Sequence, residues 1–173
     1  MGLNLVRTAV PIMTELREVV RETVVLTVWG DHGPTIIHWE ESLVPITVNA
    51  RIGSVFPVLD TATGHVYLTW LPREQTKNVV KQEMRHRNKD NPIDIGAIVE
   101  TTKKNGIGRF FIEDMRSLST LAAPIFNHKN KLIAVITTFG YKDKFDNSPT
   151  GPNARALLDA AGRISFEMGY NEA

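Results

Sequence analysis

Phe56-Pro-Val-Leu-Asp-Thr-Ala-Thr-Gly-His-Val-Tyr-Leu-Thr69 and Leu121-Ala-Ala-Pro-Ile-Phe-Asn-His-Lys-Asn-Lys-Leu-Ile-Ala-Val-Ile-Thr-Thr-Phe-Gly140 decide the reading of this chain. The first is a loop that turns into a helix over Ala62 to Leu71, with Asp60 or Thr61 placed to accept from the first free N–H groups. The second holds two apolar strands, Ser119 to Phe126 and Leu132 to Phe139, joined by the polar turn His128-Lys-Asn-Lys131. In the last strand Ile133, Val135, Thr137 and Phe139 fall on one face by alternation, and Thr120 shares a face with Ala122 and Pro124. The two hydroxyl residues need partners if buried, from neighbouring backbone or from a ligand.

Working outward, Val6, Ala9, Val10, Met13, Leu16 and Val20 make an apolar stripe at helical spacing, which Pro11 either starts or kinks. Thr23 to Trp29 and Thr35 to Glu40 predict a hairpin across Asp31-His-Gly-Pro34, and Leu43 to Val48 a third strand with Pro45 at an edge. Pro72 predicts the first residue of a helix that buries Val79, Val80 and Met84. Asp94 caps another, Ile95 to Lys104, which stops at Gly106. Ile107 to Glu113 is a strand. Pro152 to Gly169 closes the chain as a helix with one apolar face and a charged ladder, Arg155, Asp159, Arg163 and Glu167. This order predicts an α+β fold with a mostly antiparallel sheet flanked by helices.

Composition narrows the function. A length of 173 residues suits a single domain, 1–173, with a real core. Twenty basic against 19 acidic residues leave no electrostatic footprint for nucleic acid. Six basic residues against three acids between Arg73 and Asp90 lack interleaved aromatics and read as a solvated helix face. With no cysteine there is neither a disulfide framework nor a thiolate nucleophile. The N-terminus carries no signal-like or membrane-spanning run, so the expectation is a cytoplasmic protein without membrane contact.

No catalytic signature is present, and the expectation is that the chain is not an enzyme and needs no cofactor. Asp31-His32-Gly33 reads as a solvated turn. His38 and Glu40 share a strand face but lack a third metal ligand, so no metal site is assigned. His65 reads as a helix-surface residue and His128 as a turn residue. The remaining candidate is Thr61-Ala62-Thr63-Gly64, a helix start whose N–H groups suit a carboxylate, with small side chains at Ala62 and Gly64 and hydroxyls at Thr61 and Thr63. A plain capped helix is the competing account.

Taken in order, the two segments and the Gly106-Ile-Gly108 between them resemble the C-terminal effector-binding domain of the IclR family of bacterial transcription regulators, from about Val6 to Tyr170. The family's winged helix-turn-helix is not in this sequence, and the resemblance places Met1 just past the linker helix. It implies a GAF-like fold with a ligand pocket on one face, a small-molecule carboxylate effector, and DNA binding only through the absent domain. It also implies a homodimer or homotetramer. A population shift on ligand binding would alter the spacing of attached DNA-binding domains.

Matched residue by residue, the resemblance implies effector contacts at Ala62 and Thr63 of the helix start, Phe110 on the strand after Gly108, Thr120, Thr137 and Phe139. Thr61 and Gly64 complete that helix start. Family members that bind very small acids such as glyoxylate carry an acid at the position of Phe110 and a serine at that of Phe139. The two phenyl rings here suit an aromatic or hydrocarbon-bearing acid. His65 and Ser117 also depart from the pattern, which has a basic residue and a glycine there. A stand-alone GAF-like metabolite sensor is the alternative.

Overall fold

A computed structural model describes residues 2–43, 50–112 and 117–171. Five strands form one antiparallel sheet in the order β2-β1-β5-β4-β3, with β1 Thr23–Gly30, β2 Gly33–Glu40, β3 Gly108–Ile112, β4 Leu118–Phe126 and β5 Leu132–Tyr141. The predicted strand Leu43 to Val48 lies mostly outside the described residues. A neighbouring segment does cover the β2 edge, where Thr35 bridges Val55 and Phe56 N–H donates to Pro34 O at 2.8 Å.

One face of the sheet is covered by α1 (Gly2–Val20) and α5 (Pro152–Glu167). Helix α1 runs through Pro11, whose ring is on the solvent side; the carbonyl it leaves unpaired belongs to exposed Arg7. Ala9, Met13, Leu157 and Ile164 pack without exposure on Leu26, Leu121 and Ile136. Fully burying a side chain of that size contributes roughly 1.5–3 kcal/mol. Within the α5 ladder Arg163 feels the Asp159 charge, but its Nη1 donates to Glu15 of α1 at 2.6 Å, joining the two helices at their exposed seam.

The other face carries α2 (Ala62–Trp70), with α4 (Ile95–Asn105) packed on α2 and α3 (Arg73–His86) beyond. Pro72 is the N-cap of α3 rather than its first helical residue. Met84 is exposed and Val79 and Val80 are half-buried; Thr76 alone of this helix is buried. Asp94 caps α4 by accepting from Ala97 N–H at 3.0 Å, and Gly106 ends it at φ +70°. Tyr67 of α2 reaches through to the sheet, its hydroxyl 2.9 Å from Thr27 Oγ1 and its ring against Trp29. Burial pushes that phenol's pKa up, so it stays neutral.

Candidate functional site

Two close approaches fix α2. A Cβ at Gly108 would stand 2.4 Å from Ala62 O, so only glycine lets β3 lie under the start of α2. A Cβ at Gly64 would stand 2.0 Å from Val58 O, so only glycine lets the helix lie on the segment that leads into it. Thr61 is the N-cap: extended at φ −143°, it accepts from Gly64 N–H at 2.8 Å and donates its own proton to Pro57 O. The Ala62 and Thr63 N–H groups have no hydrogen-bond partner among the described residues. They sit at the positive end of the helix.

That end borders a cavity of about 50 Å³ lined, among the described residues, by Phe56, Thr61, Ala62, Thr63, Ile112, Leu118, Thr120, Thr137 and Phe139. Water occupies roughly 30 Å³ in the liquid, and ligand pockets usually run to about 300 Å³ or more, so the cavity as it stands is smaller than a usual ligand pocket. Thr63 Oγ1 and Thr137 Oγ1 are 2.6 Å apart, each satisfying the other across helix and sheet. Thr120 donates to Phe110 O at 2.9 Å, which leaves only its acceptor capacity to the cavity. The described walls hold no charged side chain, so an anion there would be met by N–H and O–H dipoles.

Six of the eight expected residues therefore meet at one cavity, and two do not. Gly64 serves the approach of α2 to Val58, and its N–H is taken by Thr61. Phe110 turns aside and packs edge-on against His65, with centroids 5.5 Å apart. The second ring facing Phe139 in the cavity wall is Phe56, from the segment beside the β2 edge. Sequence reasoning missed it because a loop's path across a sheet has no periodicity to reveal it.

His65 is not a helix-surface residue. It is buried, and its Nε2–H donates to Leu59 O at 2.7 Å. Burial lowers its pKa, opposed by that hydrogen bond and by the Asp60 charge. His38 Nε2 lies 2.8 Å from Glu40 Oε1, whose other oxygen faces Arg17. Among the described residues no cluster of three or more potential ligands could hold a metal ion, and no helix is long and apolar enough to cross a membrane.

The sheet order, the two helical faces and a helix start at a small, mostly apolar cavity define an α+β domain of the GAF-like kind. The chain belongs to the family of bacterial transcriptional regulator IclR C-terminal domains, whose pattern it matches over residues 1–166. It is 25% identical over 175 residues to the HTH-type transcriptional regulator KdgR of Escherichia coli, covering 99% of this chain and 66% of that protein. It is 27% identical to KdgR of Dickeya chrysanthemi, covering 99% and 57%. The chain thus spans about six-tenths of the length of these relatives, which are transcriptional regulators. Among solved structures it is similar to Pseudomonas aeruginosa HmgR, with a TM-score of 0.88 and 29% identity over 98% of this chain and 68% of that one.

Proposed function

We infer that this chain, over residues 1–173, is the effector-binding domain of an IclR-type regulator and senses a small carboxylate with an aromatic or apolar body. The observation that carries this is the pair of unpartnered N–H groups, Ala62 and Thr63, at a cavity walled by Phe56 and Phe139. The carboxylate docks on those N–H groups and takes over the Thr63 and Thr137 hydroxyls, which gives up the bond between them. The apolar body displaces the Phe56 side of the wall. Phe139 is the fixed side, since its strand is paired on both edges with β1 and β4. Binding favours one arrangement of paired effector domains and so changes how an attached winged helix-turn-helix meets DNA.

The test is thermal and NMR titration with benzoate, phenylacetate and short-chain acids, each beside its neutral amide. At a hundredfold excess over Kd a ligand stabilises by about 2.7 kcal/mol, which is roughly 5–10 °C in Tm for a domain of this size. Shifts concentrated at Ala62, Thr63 and Thr137 support the reading. A panel in which no acid raises Tm or moves those resonances ends it.

A further inference from the structure

We propose that Glu83 of α3 is a positioning residue for the anion site, holding the segment that leads into α2 so that the Ala62 and Thr63 N–H groups stay in place at the cavity. This rests on the reading above that a carboxylate docks there.

The segment from Pro57 to Asp60 is held at its backbone polar groups. Glu83 Oε2 accepts from Val58 N–H at 2.8 Å and Glu83 Oε1 from Leu59 N–H at 3.0 Å. Leu59 O accepts from His65, and Pro57 O from Thr61. Val58 and Leu59 are themselves buried, and Gly64 rests on Val58 with no room for a methyl group. Of these restraints His65, Thr61 and Gly64 belong to the site helix or its cap and move with it. Glu83 comes from a separate element, so it holds the lead-in segment from outside the site helix, while Gly108 and the Thr63–Thr137 bond seat that helix on the sheet.

Helix α3 otherwise only half-buries Val79 and Val80. Only Thr76 of its 14 residues is buried. Beyond Glu83, its C-terminal end is tied by Arg87, whose Nη1 meets Asp60 Oδ2 at 2.7 Å. An open cleft of about 550 Å³ runs beside these groups, bordered by Asp60, Gln82, Glu83, His86 and Arg87. Both oxygens of one carboxylate on two consecutive backbone N–H groups make a charge-assisted clamp, and it approaches the site from behind. Linkage runs both ways, so an agent that displaces α3 weakens the acid, and the acid tightens α3.

The experiment compares Glu83→Ala and Glu83→Gln with the parent and with Glu74→Gln, whose carboxylate is exposed and pairs with Lys77 on the same helix. Glutamine accepts through one oxygen and keeps one of the two bonds, so it grades the effect and covers failure of the alanine variant to fold. Benzoate and benzamide are titrated by NMR. Expected is a loss of about tenfold in benzoate affinity for Glu83→Ala, less for Glu83→Gln, with benzamide within about twofold, since a bond to a charged group is the one being misplaced. Equal weakening of acid and amide, or benzoate affinity unchanged, overturns the proposal.

If the parent binds no acid at all, the function proposed above fails first, and amide exchange in the free protein judges the clamp. Gly64 and His65 amides are expected to exchange at least about tenfold faster in the Glu83 variants, with those of α5 unchanged. Unaltered exchange at Gly64 and His65 also overturns it.

Discussion

Gly64→Ala tests the packing on which the whole site depends. The added Cβ would lie 2.0 Å from Val58 O and 2.4 Å from both Val58 C and Val58 Cα. Ordinary contact begins near 3.4 Å, so helix and segment must part by about 1.4 Å. All three obstructing atoms are backbone, and no rotamer change relieves the overlap. Overpacking of this kind costs roughly 1–3 kcal/mol, and a shift of that size in Val58 also strains its bond to Glu83, worth roughly 1.5–3 kcal/mol. The expected loss is about 3–5 kcal/mol, or roughly 6–20 °C in Tm. Gly162→Ala is the matched control: it is an exposed position of α5 with nothing within 4 Å of the new Cβ, and gains roughly 0.5–1 kcal/mol. Urea and thermal unfolding followed by circular dichroism measure both variants. A Gly64→Ala protein within about 2 °C of the parent, or a loss no larger than that of exposed helix positions, would refute the close approach of α2 to Val58.

Thr137→Val keeps the shape of the side chain and removes one hydroxyl of the 2.6 Å pair with Thr63; about 1 kcal/mol of stability and roughly tenfold in acid affinity should go with it, read by calorimetry. Ser119 is buried with no partner for its hydroxyl among the described residues, so Ser119→Ala should leave Tm unchanged or raise it by a few degrees; a clear fall would mean the hydroxyl is satisfied. His65 should make the fold acid-sensitive. Its folded pKa lies below the unfolded 6.5 because burial penalises the imidazolium, so nothing is lost above that pH. As pH falls through 6.5 the unfolded chain takes up a proton that the folded imidazole resists, and stability declines until the lower folded pKa is passed. Tm measured from pH 7.5 to 5 should drop more for the parent than for His65→Gln, and parallel profiles would contradict the assignment.

What the sequence revealed is what local chemistry encodes. Thr61 before Ala62, Asp94 before Ile95 and Gly106 after Asn105 mark helix ends because capping is settled within four residues. The strands around His128–Lys131 followed from alternation, up to the point where alternation breaks. Ile133 was assigned to the face of Val135 and Thr137, yet a bulge pairs Ile125 with Ala134 and Phe126 with Leu132, and Ile133 packs toward the α1 and α5 side. His65 was misread for a different reason. Ala62 to Tyr67 is buried without a break, because the helix lies between the sheet, α4 and the Val58 segment, so it has no solvent face for a pattern to expose.

Glu83 and Phe56 were illegible for a deeper reason, which also says where such sites hide. Glu83 stands in a run with a local basic excess on a helix that is mostly solvated, between Gln82 and an exposed Met84. Its partners are backbone N–H groups 24 and 25 residues away, and backbone donors are the same whatever residue carries them. No substitution pattern in one sequence can flag a carboxylate that reads main chain. Phe56 is likewise placed by main-chain bonds, Phe56 N–H to Pro34 O and Ile36 N–H to Ser54 O, along the edge of β2. The polar half of the site was visible because a helix cap is written in side chains; the parts that hold and close it are written in contacts to backbone, which only the fold discloses.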